Sequence, residues 1–163
     1  MKRFALLLMA VALILPTAFA KKKKDVDRFP DGTEIPEWFR QNESVNIEKL
    51  GKKYVLTDYE IFADGRIHTE EIQALIDKAA ADGGGVIVVP RGTFMTGGLQ
   101  FKQNTHLYLE EGATLMGSDF IGDYPLGKTR IEGETCTYFG ALINADGLDG
   151  FTISGKGTID GNG

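Results

Sequence analysis

The amino-acid sequence predicts an all-β fold: the first rungs of a right-handed parallel β-helix, with an N-terminal capping α-helix. Three observations carry this prediction: strands of only a few residues, glycine at their corners, and an internal echo of one strand pair. Strands this short, bounded by Gly, Asn, Asp or Pro, suit the faces of a coil better than a wide sandwich. Glycine is concentrated in the C-terminal half of the chain, since 18 of the 21 glycines lie at or after Gly83.

Apolar residues alternate with period two from Gly84 onward, as expected for half-buried strands. The stretch between residues 116 and 141 is interpreted as a loop. The predicted strands comprise residues 86–89, 93–95, 99–101, 106–109, 114–116, 141–143, 151–153 and 158–159.

The internal echo aligns residues 107–117 with residues 151–161. Apolar positions alternate in step, Thr114 recurs as Thr158, and Gly117 recurs as Gly161. The offset of 44 residues fits two rungs of about 20–25 residues when a loop insertion is allowed for. The echo therefore favours a coil over a sandwich.

Residues 69–82 are predicted to form one amphipathic helix, with Thr69 as its N-cap and Gly83 as its stop. An uncovered first rung would expose apolar side chains and unpaired backbone, so the helix is expected to cap that end of the solenoid. The apolar stripe falls at i, i+3, i+4, i+7 and i+8 and comprises Ile72, Leu75, Ile76, Ala79 and Ala80.

The first twenty residues predict a secretory signal peptide. Lys2 and Arg3 precede an apolar run from Phe4 to Leu15, and Ala18 and Ala20 place cleavage after Ala20. About 12 apolar residues cannot span ~30 Å of hydrocarbon, so no membrane span is expected after cleavage. The expected location is the periplasm or the medium.

Residues 21–52 are interpreted as an extended N-terminal arm, with a Pro-Asp-Gly turn. Trp38 and Phe39 are expected to anchor the arm on the body, and stacking on sugar rings is the alternative. Residues 53–163 then contain the cap helix and the first rungs, an incomplete domain. The basic run at residues 21–24 is interpreted as a solvated tail.

Charge and cysteine content exclude several classes of protein. Without residues 1–20 the chain carries 16 basic and 23 acidic residues, a net charge of −7, which disfavours nucleic-acid binding. Cys136 is the single cysteine, so no disulfide framework is possible. Such a thiol is expected to be a small buried apolar residue.

Four segments of the chain, residues 69–77, 83–94, 106–115 and 157–163, resemble the N-terminal region of glycoside hydrolase family 28, the polygalacturonases. The resemblance runs from about Tyr54 to Gly163. It implies a pectin-lyase-like β-helix and hydrolysis of α-1,4-galacturonosyl bonds with inversion. The implied substrate is a pectic polysaccharide or oligogalacturonide, and the full-length protein is expected to be a monomer.

The motifs in which this family carries its catalytic residues are absent from the chain. They are Asn-Thr-Asp, Asp-Asp, Gly-His-Gly and Arg-Ile-Lys, expected on later rungs. Asn104-Thr105-His106 has histidine where the first motif has aspartate, and Arg130-Ile131-Glu132 has glutamate in place of the substrate-binding lysine. The resemblance therefore assigns no catalytic residue here, and this chain alone is expected to be inactive.

The remaining carboxylates and histidines are interpreted as structural. Asp160 sits in a glycine-rich turn, and Asp146 and Asp149 flank another turn at Gly147, where Asp commonly bonds its own backbone. His68 and His106 are too far apart in the sequence to indicate a triad or a zinc site. No metal or cofactor site is predicted.

Two other functions fit the same scaffold. A calcium-dependent lyase of the pectate-lyase type would cleave by elimination. A glycan-binding or adhesive β-helix without catalysis would show identical early rungs, because these specify the scaffold and not the site.

Overall fold

The computed structural model of the chain describes residues 27–40 and 45–163. The predicted signal peptide and its cleavage site after Ala20 lie outside these residues. The chain divides into two units, residues 1–42 and 43–163, which are described separately. Residues 45–52, predicted as part of the arm, fall in the second unit, where the Lys52 carbonyl accepts a hydrogen bond from the Val86 N–H at 2.8 Å.

The described part of the first unit folds back on itself. The Gly32 N–H donates to the Phe29 carbonyl at 2.8 Å, and Arg28 forms an antiparallel bridge with Glu34. The Trp38 and Phe39 rings stack at 3.8 Å between centroids and remain more than half exposed. Packing of these rings against the body stays a prediction.

The second unit consists of short strands stacked in three parallel sheets, as the period-two pattern predicts. The strands of the first sheet, in spatial order, are β1 (Lys53–Val55), β2 (Gly85–Val89), β5 (Thr105–Leu109) and β10 (Ile153–Gly155). The second sheet contains β3 (Gly92–Thr96), β6 (Ala113–Gly117) and β11 (Thr158–Asp160), and the third β4 (Leu99–Gln100) and β9 (Ile143–Asn144). Strand β1 was not among the predicted strands.

Side chains that point inward form columns through successive coils. In the first sheet Tyr54, Ile87 and Leu107 lie in register and are at most 1% exposed. In the second sheet Phe94 pairs with Leu115, and both are 1% exposed. These columns are the hydrophobic core, and each residue is placed by the period-two alternation of its strand.

The internal echo predicts the register of one of its two strand pairs correctly. Thr114 pairs with Thr158, 44 residues later, as predicted, but Leu107 pairs with Ile153, at an offset of 46. The difference arises because the connection from β10 to β11 is shorter than that from β5 to β6. A shift of two residues in register keeps each side chain on the same face of the sheet. The alternation of apolar residues therefore cannot reveal such a shift.

The echo also spans one coil and not two. Strands β2 and β5 pair at an offset of 20 residues, and β3 and β6 at 21, which is the plain coil length. The following coil is longer because residues 118–142 are inserted between β6 and β9. The insertion, predicted as a loop, contains an antiparallel hairpin of β7 (Leu126–Ile131) and β8 (Glu134–Phe139).

The helix α1 (Thr69–Ala81) lies against β2, β3, β4 and β5 and buries Ile72, Leu75, Ile76 and Ala79. Its end is as predicted: Gly83 has φ of +100°, and its N–H donates to the Ala80 carbonyl. The N-cap prediction is wrong. His68 occupies that position without a side-chain cap, and the Thr69 hydroxyl oxygen instead accepts from the Gly97 N–H at 2.6 Å. In residues 27–40 and 45–163 no helix has the length and apolarity needed to cross a bilayer.

Candidate functional site

One surface depression near the inserted hairpin is a groove of about 660 Å³, which we call the hairpin groove. The third sheet forms its floor and the hairpin one wall. Its lining comprises Gln100, residues 125–129, residues 138–141, Asn144 and Asp146. The polar groups available to a ligand come mainly from Lys128, Thr129, Tyr138 and Asp146.

A second cavity of about 470 Å³ adjoins the hairpin groove and shares Gln100 and Pro125 with it. It lies between α1 and the start of the insertion. Its other lining residues are Thr69, Gln73, Asp77, Gly98, Lys102 and residues 122–124. The two depressions together run along the third sheet.

The helix side of this surface is held by an amide clamp. The Gln73 side chain donates to the Gln100 carbonyl at 2.9 Å and accepts from the Gln100 N–H at 2.8 Å. It thus satisfies both backbone groups on the side of β4 that faces away from β9. A side-chain amide here performs the pairing that a neighbouring strand would perform.

Lys102 is held in place by Asp77, with 2.8 Å between its ammonium nitrogen and a carboxylate oxygen. The hydrogen bond from Lys102, together with that from Gln73, lowers the pKa of Asp77. Both side chains are about half exposed. The carboxylate of Asp77 therefore offsets the charge of Lys102 at the edge of this second cavity.

Polar contacts also order the root of the insertion. The Ser118 hydroxyl donates to Asp123, and the Tyr124 hydroxyl donates to the Ser118 carbonyl at 2.8 Å. Burial raises the pKa of Tyr124, and the nearby carboxylates of Asp123 and Asp119 add to the shift. A Cβ at Gly97 would lie 2.1 Å from the Asp123 carbonyl oxygen, so glycine is required where the insertion passes the corner.

His68 is buried between two carboxylates at the start of α1, which the sequence analysis did not foresee. Its Nε2 lies 2.9 Å from an Asp64 oxygen and its Nδ1 3.6 Å from a Glu71 oxygen. The hydrogen bonds with His68 and Arg66 lower the pKa of Asp64. The backbone N–H of His68 also donates to the Met95 carbonyl. This hydrogen bond connects the start of α1 to β3.

The carboxylates considered in the sequence analysis are not brought together in one cluster. Asp160 accepts a hydrogen bond from the Asn162 N–H at 2.9 Å, the turn role predicted for it. The Asp149 backbone is clamped by the Gln103 amide, whereas Asp146 lines the hairpin groove. Within the described residues, no three His, Cys, Asp or Glu side chains form a group able to hold a metal ion.

The two motif-like segments occupy structural positions. Asn104 has φ of +64° and packs against Gly84, and burial lowers the pKa of His106 in β5. Residues 130–132 form the end of β7 and the hairpin turn, where Glu132 has φ of +51°. Cys136 is only half-buried in β8, so the prediction of a buried apolar thiol is wrong. Nothing in the sequence signalled Lys128 and Tyr138, because they lie in the segment interpreted as a loop.

Comparison with known proteins finds exopolygalacturonases among the relatives of this chain. No family model matches the chain. A curated exo-poly-α-D-galacturonosidase of Dickeya chrysanthemi is 38% identical over 117 residues, which are 66% of this chain. The chain spans only 19% of that relative's length.

Two solved structures are each similar to about two thirds of the chain. A hyperthermoactive exopolygalacturonase from Thermotoga maritima has a TM-score of 0.63 and 29% identity over 68% of this chain and 25% of its own. A family 28 exopolygalacturonase of Yersinia enterocolitica has a TM-score of 0.62 and 32% identity over 69% of this chain and 21% of its own. The resemblance to glycoside hydrolase family 28 is thereby confirmed.

Proposed function

We propose, from its confirmed similarity to family 28 exopolygalacturonases, that this chain is the N-terminal part of a polygalacturonase-like glycoside hydrolase. The single observation that carries the proposal is the 38% identity to the Dickeya chrysanthemi exo-poly-α-D-galacturonosidase over 117 residues. The proposed substrate is a pectic polysaccharide or oligogalacturonide, cleaved at α-1,4-galacturonosyl bonds from a chain end. The proposed location is outside the inner membrane, by way of the signal peptide at residues 1–20.

In this proposal the described body supplies the rigid frame of the enzyme. The stacked sheets form the first rungs of a right-handed β-helix, since parallel crossover connections have that hand in nearly all proteins. Helix α1 closes the end of the coil. Two observations support the capping role: the buried stripe of Ile72, Leu75 and Ile76, and the Gln73 clamp on the otherwise unpaired side of β4.

Inverting hydrolysis needs one carboxylic acid to protonate the leaving oxygen and one carboxylate to activate water. The two groups must stand about 6.5–9.5 Å apart to admit that water. We propose that both come from a longer protein, because the chain covers 19% of its curated relative and its own segments match none of the family's catalytic motifs. Residues 21–163 alone are then expected to release no reducing sugar from polygalacturonate.

A chimera tests the proposal directly. Residues 54–163 would replace the matching segment of the Dickeya chrysanthemi relative, and the product would be assayed on polygalacturonate. We expect release of galacturonate with inverted anomeric configuration. Proton NMR of the reaction mixture measures that configuration. A matched control carries Ile72→Asp, which should abolish activity by unfolding the same frame.

Three other results would contradict the proposal in different ways. An unsaturated uronate chromophore formed by the full-length protein would indicate elimination, as in a calcium-dependent lyase. Binding of pectin by the full-length protein without release of reducing sugar would favour a glycan-binding β-helix. Reducing-sugar release by purified residues 21–163 would show that this chain contains its own catalytic pair, with Asp146, Asp149 and Asp160 as the first residues to substitute.

A further inference from the structure

The β7–β8 hairpin has two outer edges that no other strand covers within residues 27–40 and 45–163. Strand β7 pairs only with β8 there, and β8 only with β7. All six residues of β7 are exposed, as are four of the six in β8. An exposed strand edge presents unpaired N–H and C=O groups and is a template for pairing with another strand. Each outer edge of the hairpin is therefore a candidate interface.

The hydrogen bonds inside the hairpin determine which residues of β8 face its outer edge. The Gly140 N–H donates to the Pro125 carbonyl at 2.8 Å, at the base of the hairpin. Hydrogen-bonded and non-hydrogen-bonded pairs alternate along an antiparallel ladder, so Cys136, four residues before Gly140, is also hydrogen-bonded to β7. The backbone N–H and C=O groups of Thr135 and Thr137 therefore point outward.

Charge distinguishes the two outer edges. Strand β7 contains two cations, Lys128 and Arg130, whose backbone groups point to its outer edge. If two copies of β7 paired antiparallel about residue 128, 129 or 130, a cation would face a cation, which destabilises a sheet. Charged residues protect natural edge strands from self-association in this way. The single charge of β8 is Glu134, at the end beside the turn, so the β8 edge lacks this protection.

Antiparallel pairing of β8 with a second β8 has one register that uses its exposed residues. Outward-facing residues must pair with each other, so a two-fold axis at Cys136 places Thr135 opposite Thr137 in a hydrogen-bonded pair. Glu134 then lies opposite Tyr138, and no like charges meet. An axis one residue further along would instead require the outward backbone of the last residue of β8, which is half-buried.

We propose that the outer edge of β8 pairs with the same edge of a second copy of the chain, forming a four-stranded antiparallel sheet across a two-fold axis at Cys136. Thr135 and Thr137 exchange backbone hydrogen bonds with the second copy. Because the two hairpins run in opposite directions, the turn of each lies beside the last residue of the other β8. Such a dimer is contrary to the monomer expected from the resemblance, and it does not depend on the proposed function.

Cross-linking through Cys136 tests the register. Cys136 is half-buried and is the single cysteine, so any covalent dimer is linked through it. On the axis the two Cys136 residues form a non-hydrogen-bonded pair with Cα atoms about 4.5 Å apart, within the range that a disulfide spans. An axis shifted by one residue separates them diagonally by about 7–8 Å, which is too far.

Oxidised glutathione is the oxidant in this experiment. One Cys136 thiolate attacks it, releases a glutathione thiolate and forms a mixed disulfide. Cys136 of the second copy then displaces the other glutathione thiolate, so one interchain disulfide and two reduced glutathione molecules result. The two protons lost by the cysteines end on the two glutathione thiols. We expect a covalent dimer on non-reducing electrophoresis.

Sedimentation equilibrium of the reduced full chain measures the association itself. Two short edges bury less than the roughly 1,200 Å² of a standard stable interface, so we expect a Kd of about 0.1–1 mM. Thr137→Pro removes one outward N–H from each copy and should raise the Kd at least about tenfold. The matched control is Lys128→Pro, because Lys128 lies directly opposite Thr137 and loses an outward N–H from the other edge. The control should bind within about twofold of the unmodified chain.

A charged variant gives a second test that does not depend on proline. In Thr135→Glu/Thr137→Glu, each added carboxylate lies opposite a cation within the hairpin, Arg130 or Lys128, so the hairpin is retained. Across the two-fold axis the carboxylates face each other and repel. We expect at least about tenfold weaker association and less covalent dimer, with partial recovery at about 1 M salt because the charges are screened.

Four results would overturn the inference. The first is absence of a dimer at about 1 mM chain, and the second is equal association of Thr137→Pro and Lys128→Pro. The third is association without a disulfide at Cys136, which would exclude the proposed axis. The fourth is covalent dimer formed equally by Thr135→Glu/Thr137→Glu, which would mean that the thiols meet by random collision.

Discussion

Strands β5 and β7 differ in length by one residue and in almost everything else. Strand β5 is stacked between β2 and β10, and its residues alternate between buried and half-buried. Strand β7 pairs only with β8, and all of its residues are exposed. The comparison shows that burial in this protein comes from stacking successive coils, and that a strand outside the stack contributes little to the core.

The difference separates two kinds of constraint on sequence. In the stack, each inward residue must match the one above and below it, as Ile87 matches Leu107. In the hairpin, only the turn at Glu132 and Gly133, with φ of +51° and +91°, has a strict backbone requirement. Substitutions should therefore have very different effects in the two regions.

The largest effect is expected when a charge enters the core. Ile72 is 1% exposed, and Ile72→Asp should lower the free energy of unfolding by roughly 4 kcal/mol or prevent folding, since a buried carboxylate there has no partner. Leu126→Asp makes the same change on the hairpin, where the side chain is 64% exposed, and should cost less than about 0.5 kcal/mol. Urea unfolding of both variants measures the contrast. Equal destabilisation would mean that the hairpin is part of the core.

Glycine substitutions should give an intermediate effect. Gly155 has φ of +108°, and an added Cβ would lie 1.9 Å from the Leu109 carbonyl oxygen. Gly155→Ala should therefore cost roughly 3 kcal/mol through backbone strain and overlap between coils. At Gly127 in β7 an added Cβ meets nothing within 4 Å, so Gly127→Ala should change stability by less than about 1 kcal/mol. Thermal unfolding distinguishes them, and a stable Gly155→Ala variant would contradict the close approach of the coils.

The smallest effect concerns pH. Tyr54 is fully buried and donates to Asp82 at 2.8 Å; burial, then this contact, raises the pKa of Tyr54 to about 12. The unfolded value is about 10, so the fold favours the neutral phenol. The contribution of this pKa shift to the free energy of unfolding is complete below pH ~10 and is lost as pH rises through about 12.

Tyr54→Phe should cost about 1 kcal/mol at neutral pH through the lost hydrogen bond and should flatten the loss of stability between pH ~10 and ~12. Denaturant unfolding at several alkaline pH values measures the slope. Tyr138→Phe, which removes an exposed hydroxyl from the hairpin, is the control and should change stability by less than about 0.5 kcal/mol. An unchanged slope in Tyr54→Phe would assign the alkaline loss to other groups.

Features that depend on local pattern were predictable from the sequence. The core strands and α1 follow from apolar periodicity, and Gly83 marks the helix end because only glycine adopts its backbone angle readily. The pairing of Thr114 with Thr158 follows from the echo. Strand β1 was missed because it precedes α1, outside the glycine-bounded runs after Gly84 from which the other strands were predicted.

Features that depend on contact between distant segments were not predictable. The Gln73 clamp joins residues 27 apart and uses a side chain that periodicity reads only as polar. The hairpin was interpreted as a loop because it buries little, so its sequence lacks a sustained alternation of the kind that marks a half-buried strand. The candidate groove was missed for the same reason, since its walls come from that segment.

Residues 118–142 leave the coil at the end of β6 and rejoin it at β9. The pairing of the stacked strands therefore does not depend on the structure of the inserted segment. The entropy cost of closing such an excursion grows only with the logarithm of its length. Hairpins of other sizes can therefore be exchanged at this corner with little change to the pairing of β4 with β9. In evolutionary terms, insertion or recombination at this corner can change the surface that the inserted segment presents. The pairing of the stacked strands is preserved.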